Sequence, residues 1–177
     1  MIKKIATLVI LASAAFSQNY DVAECPVDYG AMYALADTER HNKRPIGYPF
    51  LISFNVKRDA VQMRDALKGE WLDWRTLDCK NSEQCVSDLE IVLAKGIENV
   101  DLGGYQFNYV WFKFPLATYF SVQDSFERAC KRVTEIYLKY GWSWDAIANY
   151  HNMKDEFRIP YAKRLAANYQ KIQQGGK

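Results

Sequence analysis

The chain has 177 residues, with 23 Lys and Arg against 21 Asp and Glu, 49% hydrophobic residues and four cysteines. That length suffices for one domain with a sizeable core, and the near balance of charge excludes the strongly basic footprint of a nucleic-acid binder. No segment reaches the ~20 consecutive apolar residues that a membrane-spanning helix needs.

Lys3 and Lys4 precede an apolar run from Ile5 to Phe16, and the small residues Ala15 and Ser17 stand where a signal peptidase reads. Residues 1–17 therefore read as a signal peptide, leaving residues 18–177 as a single exported domain, periplasmic or secreted, with no membrane attachment. The mature balance is 21 charges of each sign. Basic residues still gather toward the end: from Lys131 onward nine of them, including Arg132, Lys154 and Arg164, face four acidic ones. Such a surface either serves solubility or meets an acidic polymer.

The first mature helix spans Asp28 to His41, with Met32, Leu35, Ala36 and Glu39 on one stripe. A carboxylate on the buried side of a helix is costly to ionise, which would raise its pKa and make Glu39 a proton donor near neutral pH. The alternative is a helix-end Glu paired with Arg40 or Arg44. Pro49 to Asn55 reads as a strand with Phe50, Ile52 and Phe54 alternating, and Arg58 to Leu67 as a short helix. Asp78 to Asn81 reads as a loop, and Ser82 as the cap of a helix that carries Val86, Leu89, Val92 and Leu93 and ends at Gly96.

Asp101 to Asn108 is unusual, because two glycines and two aromatics frame Gln106. A Gly-Gly pair is first of all a turn signal, but it also permits close approach by a ligand or another backbone. Tyr105, Phe107 and Tyr109 alternate and predict an extended piece. Ser121 to Asp124 resembles a capping box and opens the strongest helix, through Phe126, Ala129, Cys130, Val133 and Ile136 to Gly141. Ser143 caps a short helix, and a last helix carries Tyr161, Leu165, Tyr169 and Ile172. The architecture is mainly α, of the α+β type, with a small β element in the middle.

In an oxidising compartment four cysteines imply two disulfides, with three possible pairings. The favoured pairs are Cys79 with Cys85, which would staple a short loop, and Cys25 with Cys130, which would tie the first helix to a later one. A metal site is not indicated, since neither CxxC spacing nor a nearby His supports zinc, and no cofactor is implied.

In order along the chain, Ala34 to Glu39, Gly103 to Phe107, Ser125 to Cys130 and Ala146 to His151 resemble four motifs of the lysozyme-like lytic transglycosylases, especially the small exported enzymes of secretion and conjugation systems. The resemblance implies a lysozyme-like fold in which 48–96 is an insertion between the catalytic Glu and the Gln motif. It implies peptidoglycan glycan strands as the substrate, a secretion or conjugation apparatus as a further partner, and cleavage of the bond between N-acetylmuramic acid and N-acetylglucosamine. Glu39 would first protonate the leaving oxygen and then take a proton from the muramic C6 hydroxyl, closing a 1,6-anhydro ring. Gln106 would bond a sugar or position Glu39, Tyr150 would bond near Glu39 or the N-acetyl group, Tyr105 would wall a subsite, and His151 stands where the family usually has Asn.

Arg40, Gly104 and Tyr105 depart from the family's pattern. The chemistry needs an acid in any case, and most glycosidases add a second carboxylate. Neither Asp37 nor Asp101 has an evident place for that role in the sequence. A hydrolase of the same fold and a non-catalytic wall-binding protein are the alternatives.

Overall fold

The computed structural model describes residues 25–175; the signal-peptide segment lies outside them. Helix α1 spans Tyr29–Glu39, and Asp28 caps it by accepting the Ala31 N–H at 3.0 Å. Met32, Leu35 and Ala36 form the buried stripe read from the sequence, and they pack on the last helix, α6 (Asp155–Gln173), around Tyr161, Ala162 and Leu165. Full burial of side chains such as Met32 and Leu35 contributes about 2 kcal/mol each. The final turn of α1 is pinned separately: Thr38 Oγ1 donates to the Ala34 carbonyl at 2.7 Å and accepts from Asn168 Nδ2 at 3.0 Å. That pin fixes the end of α1 against α6.

Five antiparallel strands form one sheet, in the order β2 (Glu70–Trp71), β3 (Thr76–Asp78), β1 (Leu51–Phe54), β4 (Val100–Leu102) and β5 (Phe107–Asn108). The register runs through Ile52, which opposes both Leu77 and Leu102. Ile52 and Phe54 face the core, whereas Leu51, Ser53 and Asn55 turn to the other side, so the alternation read from the sequence holds. The β element is nonetheless larger than the sequence suggested. Residues 76–78, in part assigned to a loop, form a fully buried strand, because a run of three residues with Asp78 at its end carries too little periodicity to be seen.

The segment 48–96 is integral to this sheet. It supplies the central strand β1, both strands on one side of it, and helices α2 (Lys57–Met63) and α3 (Ser82–Ala94). Without it β4 and β5 would lose their neighbour. Asn81, and not Ser82, caps α3, accepting the Gln84 N–H at 2.9 Å. Helices α4 (Val122–Tyr140) and α5 (Trp144–Ile147) complete the mainly helical part, with Ser121 and Ser143 as their caps. Two disulfides, Cys25–Cys130 and Cys79–Cys85, tie the start of α1 to α4 and β3 to α3. Such bonds fit an oxidising compartment. Among the described residues no helix is long and apolar enough to cross a membrane.

The glycine pair answers to backbone, not to a ligand. Gly103 has φ +76°, and a Cβ there would collide with the Tyr119 carbonyl; a Cβ on Gly104 would lie 2.7 Å from the Gly47 carbonyl oxygen. Residues 103–106 are a turn between β4 and β5, with Gln106 also at positive φ, +49°. The extended piece is accordingly shorter than its alternation predicted.

Two glycine substitutions separate strain from collision. Gly96→Ala, at φ +72° in open space, is expected to cost about 1 kcal/mol, and Gly103→Ala about 3 kcal/mol or more, because backbone strain and a blocked carbonyl add there. Urea denaturation midpoints of the two variants measure the difference.

Candidate active site

A groove of about 950 Å³ separates a helical wall from the face of the sheet opposite the core. The end of α1 brings Thr38, Glu39, Arg40 and His41 into it, the sheet brings Ser53, Thr76 and Asp101, and the C-terminal helices bring Tyr150, His151, Tyr161 and Arg164. Glu39 is the last residue of α1, one turn beyond the apolar stripe, so the same helix that buries Leu35 and Ala36 carries its carboxyl into the groove.

The carboxyl has one close hydrogen-bond partner. Tyr161 Oη donates to Glu39 Oε1 from α6, across 122 positions of sequence. Neither arginine considered from the sequence pairs with Glu39: Arg40 is taken by Asp37, and Arg44 bridges Asp78 at 2.5 Å and Glu70 at 2.8 Å. Burial is the dominant influence on Glu39 and pushes its pKa up to about 7 from an ordinary 4.5. The Tyr161 bond opposes this, the nearby Asp101 charge reinforces it, and Arg164 and Arg75 oppose it from farther off. The result is a carboxyl that holds its proton near neutrality yet can release it.

The sheet wall is a connected polar array. Asp101 on β4 accepts from Arg75 Nη2 at 3.1 Å and from Asn108 Nδ2 at 2.8 Å, and Arg75 also donates to Asn55 Oδ1 at 2.9 Å. Asn99 joins the same array by accepting from Asn55 and Asn108 at 3.2 and 3.0 Å. At one end Asp73 accepts the backbone N–H groups of Arg75 and Thr76 and stands 3.3 Å from His41 Nε2. Burial first, then those two N–H bonds and the His41 charge, act on Asp73, and its net pKa is lowered. Asp101 and Asp73 thus stand beside amides suited to hydroxyl and acetamido groups.

The residues singled out in the sequence divide between groove and core. Gln106 lines the groove, but its Nε2 donates to the Gly103 carbonyl at 2.7 Å, so its fixed task is to close the turn, with no bond to Glu39. Tyr150 lines the groove too; its hydroxyl reaches the Tyr105 carbonyl at 2.8 Å, and the tyrosine that bonds Glu39 is Tyr161 instead. His151 lies flat on Tyr161, with ring centroids 4.6 Å apart and planes 3° from parallel. Burial, then the Arg164 charge, hold its imidazole below the ordinary histidine range. Tyr105 is a correction: it is only 6% exposed, packs against Phe126, and is not among the groove's lining residues. The aromatic that does offer a face is Trp111, 79% exposed at the groove.

Tyr161, Trp111 and the Asp101–Arg75 pair were not marked as site residues from the sequence. Tyr161 looked like one more apolar-stripe residue, and nothing local to it points to Glu39. Trp111 stands five residues after Gln106, beyond the short strand β5, and the nearby Gly-Gly-Tyr-Gln turn is the one signal that could have found it. Among the described residues no group of three or more His, Cys, Asp or Glu side chains could hold a metal ion. No family model matches this chain, and neither a curated protein nor a solved structure matches it, so function has to be read from the groove's own chemistry.

Burial of Glu39 also sets a pH dependence of stability. The folded-state pKa lies above the unfolded one, so ionisation is disfavoured in the fold: the penalty is absent below about pH 4.5, grows up to about pH 7 and is constant above. Glu39→Gln removes it and is expected to gain roughly 2 kcal/mol at pH 8 with little change at pH 4, read from denaturation midpoints across that range. Conversely, Tyr161→Phe deletes a bond that lowers the pKa, and the carboxyl 13C titration of Glu39 is expected to move upward from about 7.

Proposed function

We propose that the groove cleaves peptidoglycan glycan strands as a lytic transglycosylase, with Glu39 as acid and then base. The observation that carries this reading is a carboxyl at the end of the first helix, facing a groove, whose pKa burial raises to about 7. An acid of that pKa is matched to protonating a glycosidic oxygen at neutral pH. The order of the four sequence motifs and a groove between a helical part and a small sheet support a lysozyme-like enzyme.

In the reaction, Glu39 gives its proton to the oxygen leaving C1 of the muramic sugar, and the glycosidic bond breaks as oxocarbenium charge develops on that sugar. The carboxylate so formed takes the proton of the C6 hydroxyl, whose oxygen bonds to C1 and closes the 1,6-anhydro ring. No water is consumed, and Glu39 ends protonated as it began. Tyr161 holds the carboxyl throughout, and its donated bond offsets part of the cost of the ionised intermediate state. The amides of Asn55, Asn99 and Asn108 face the sugar hydroxyls and acetamido groups, and Trp111 gives one pyranose an apolar face to lie on.

Asp101 favours a second reading, that of a hydrolase. It faces the same groove close enough for its charge to act on Glu39, and a second carboxylate is what a glycosidase needs to activate water or stabilise the sugar cation. The two reactions leave different ends: anhydromuropeptides from the transglycosylase, and reducing ends heavier by one water from the hydrolase.

Mass spectrometry of digested sacculi separates them. The expected products are anhydromuropeptides, and Glu39→Gln is expected to lower the rate about 10³-fold or more. Because the protonated acid is the active form, kcat/KM is expected to be level at low pH and to fall as pH rises through about 7. Trp111→Ala is expected to raise KM about 5- to 10-fold with a smaller effect on kcat. Full activity in Glu39→Gln would overturn the assignment.

A further inference from the structure

The two walls of the groove differ in charge balance. On the sheet wall Arg75 pairs with Asp101, and Asp73 accepts two backbone N–H bonds and stands 3.3 Å from His41 Nε2. The helical wall carries Arg132 from α4, Lys154 ahead of α6 and Arg164 from α6. Among the described residues Lys154 and Arg164 have no acidic partner within 4.0 Å, and Arg132 has only Glu135 on its own helix at 3.5 Å. Arg132 leaves its buried Nε–H without an acceptor, as Arg75 does on the sheet wall, and it stands near enough to Tyr150 for its charge to act on that hydroxyl. Arg164 lies 5.4 Å from the centre of the Tyr161 ring, so its charge sits beside the acid.

A neutral sugar polymer gives such a wall nothing to pair with. N-acetylglucosamine and amide-linked N-acetylmuramic acid carry no charge, whereas the peptides attached to the muramic lactyl group end and branch in carboxylates. We propose that Arg132, Lys154 and Arg164 form a carboxylate-binding wall that takes the peptide stems of the glycan strand while the sheet wall takes the sugars. This rests on the reading of the groove as a peptidoglycan site. Stems are carried only on muramic residues, so a wall that holds them also fixes which of the two alternating sugars lies over Glu39. Guanidinium groups suit this task because they can fork onto a carboxylate and stay charged at any working pH.

The test compares native sacculi with sacculi whose carboxylates have been converted to amides by carbodiimide and ammonia, leaving the glycan unchanged. Native protein is expected to cleave the amidated sacculi about 5- to 10-fold less efficiently, and Lys154→Gln/Arg164→Gln to lose about as much on native sacculi with little further loss on amidation, since exposed ion pairs are worth a few-fold each. Lys154→Arg/Arg164→Lys is expected to restore the preference, which a merely structural role for these positions would not require. The preference is also expected to shrink at high salt.

Binding is measured in parallel, by cosedimentation of the Glu39→Gln protein with the same two materials. Equal binding and equal cleavage of native and amidated sacculi would overturn the carboxylate wall and leave the glycan-cleaving reading standing. Binding that prefers native sacculi, with no cleavage by the native protein, would support the wall and overturn the enzyme.

Discussion

Removing one carboxyl from water shapes much of the rest of this structure. An ionised Glu in contact with protein on most sides is costly, and the fold meets that cost with a single phenolic donor and no direct cation. Had Arg40 or Arg44 reached Glu39, the carboxylate would be locked in its charged form. Both are instead held by other acids, Arg40 by Asp37 and Arg44 by the buried Asp78 and the exposed Glu70, and these pairs keep the two guanidinium groups away from Glu39. The remaining influences, Asp101 on one side and Arg164 and Arg75 on the other, are distant enough to adjust the acid without fixing it.

The scaffold that keeps this balance is stiff where it must be. The last turn of α1 is tied to α6 through Thr38 and Asn168, and the wall opposite is a short-stranded sheet whose central strand is covered on both faces. The turn of residues 103–106 joins the two, because its backbone accepts from Tyr150 and leaves no room for a side chain beside Tyr119 and Gly47. Glycine there serves close packing of three pieces of chain, and the groove is the space left beside them.

Much of the helical part could be read from the sequence, since α1, α4 and α6 carry long apolar stripes, and Asp28, Ser121 and Ser143 are side chains suited to capping. The two cysteine pairs favoured there coincide with those in the structure, where one loop is short and the other spans most of the fold. Strands of two or three residues escaped, as at 70–71 and 76–78, because they lie below the length at which alternation is visible. In the groove, Glu39 was legible because burial of a helix face is a local pattern. Tyr161, Asp101 and Trp111 were not, since their meaning comes from which distant residue they face. Tyr105 misled for the complementary reason: an aromatic next to glycines reads equally as a platform or as core, and its neighbour Phe126 lies elsewhere in the sequence.

The bond from Tyr161 to Glu39 has a consequence in time as well as in space. Its partners are 122 positions apart, and the helix that holds Tyr161 is the one α1 packs on. While the chain is still being made, Glu39 is an ordinary solvated carboxylate, with an ordinary affinity for its proton. The bond from Tyr161 forms only when the last helix docks, so completion of the fold and the final setting of this carboxyl's proton affinity are linked.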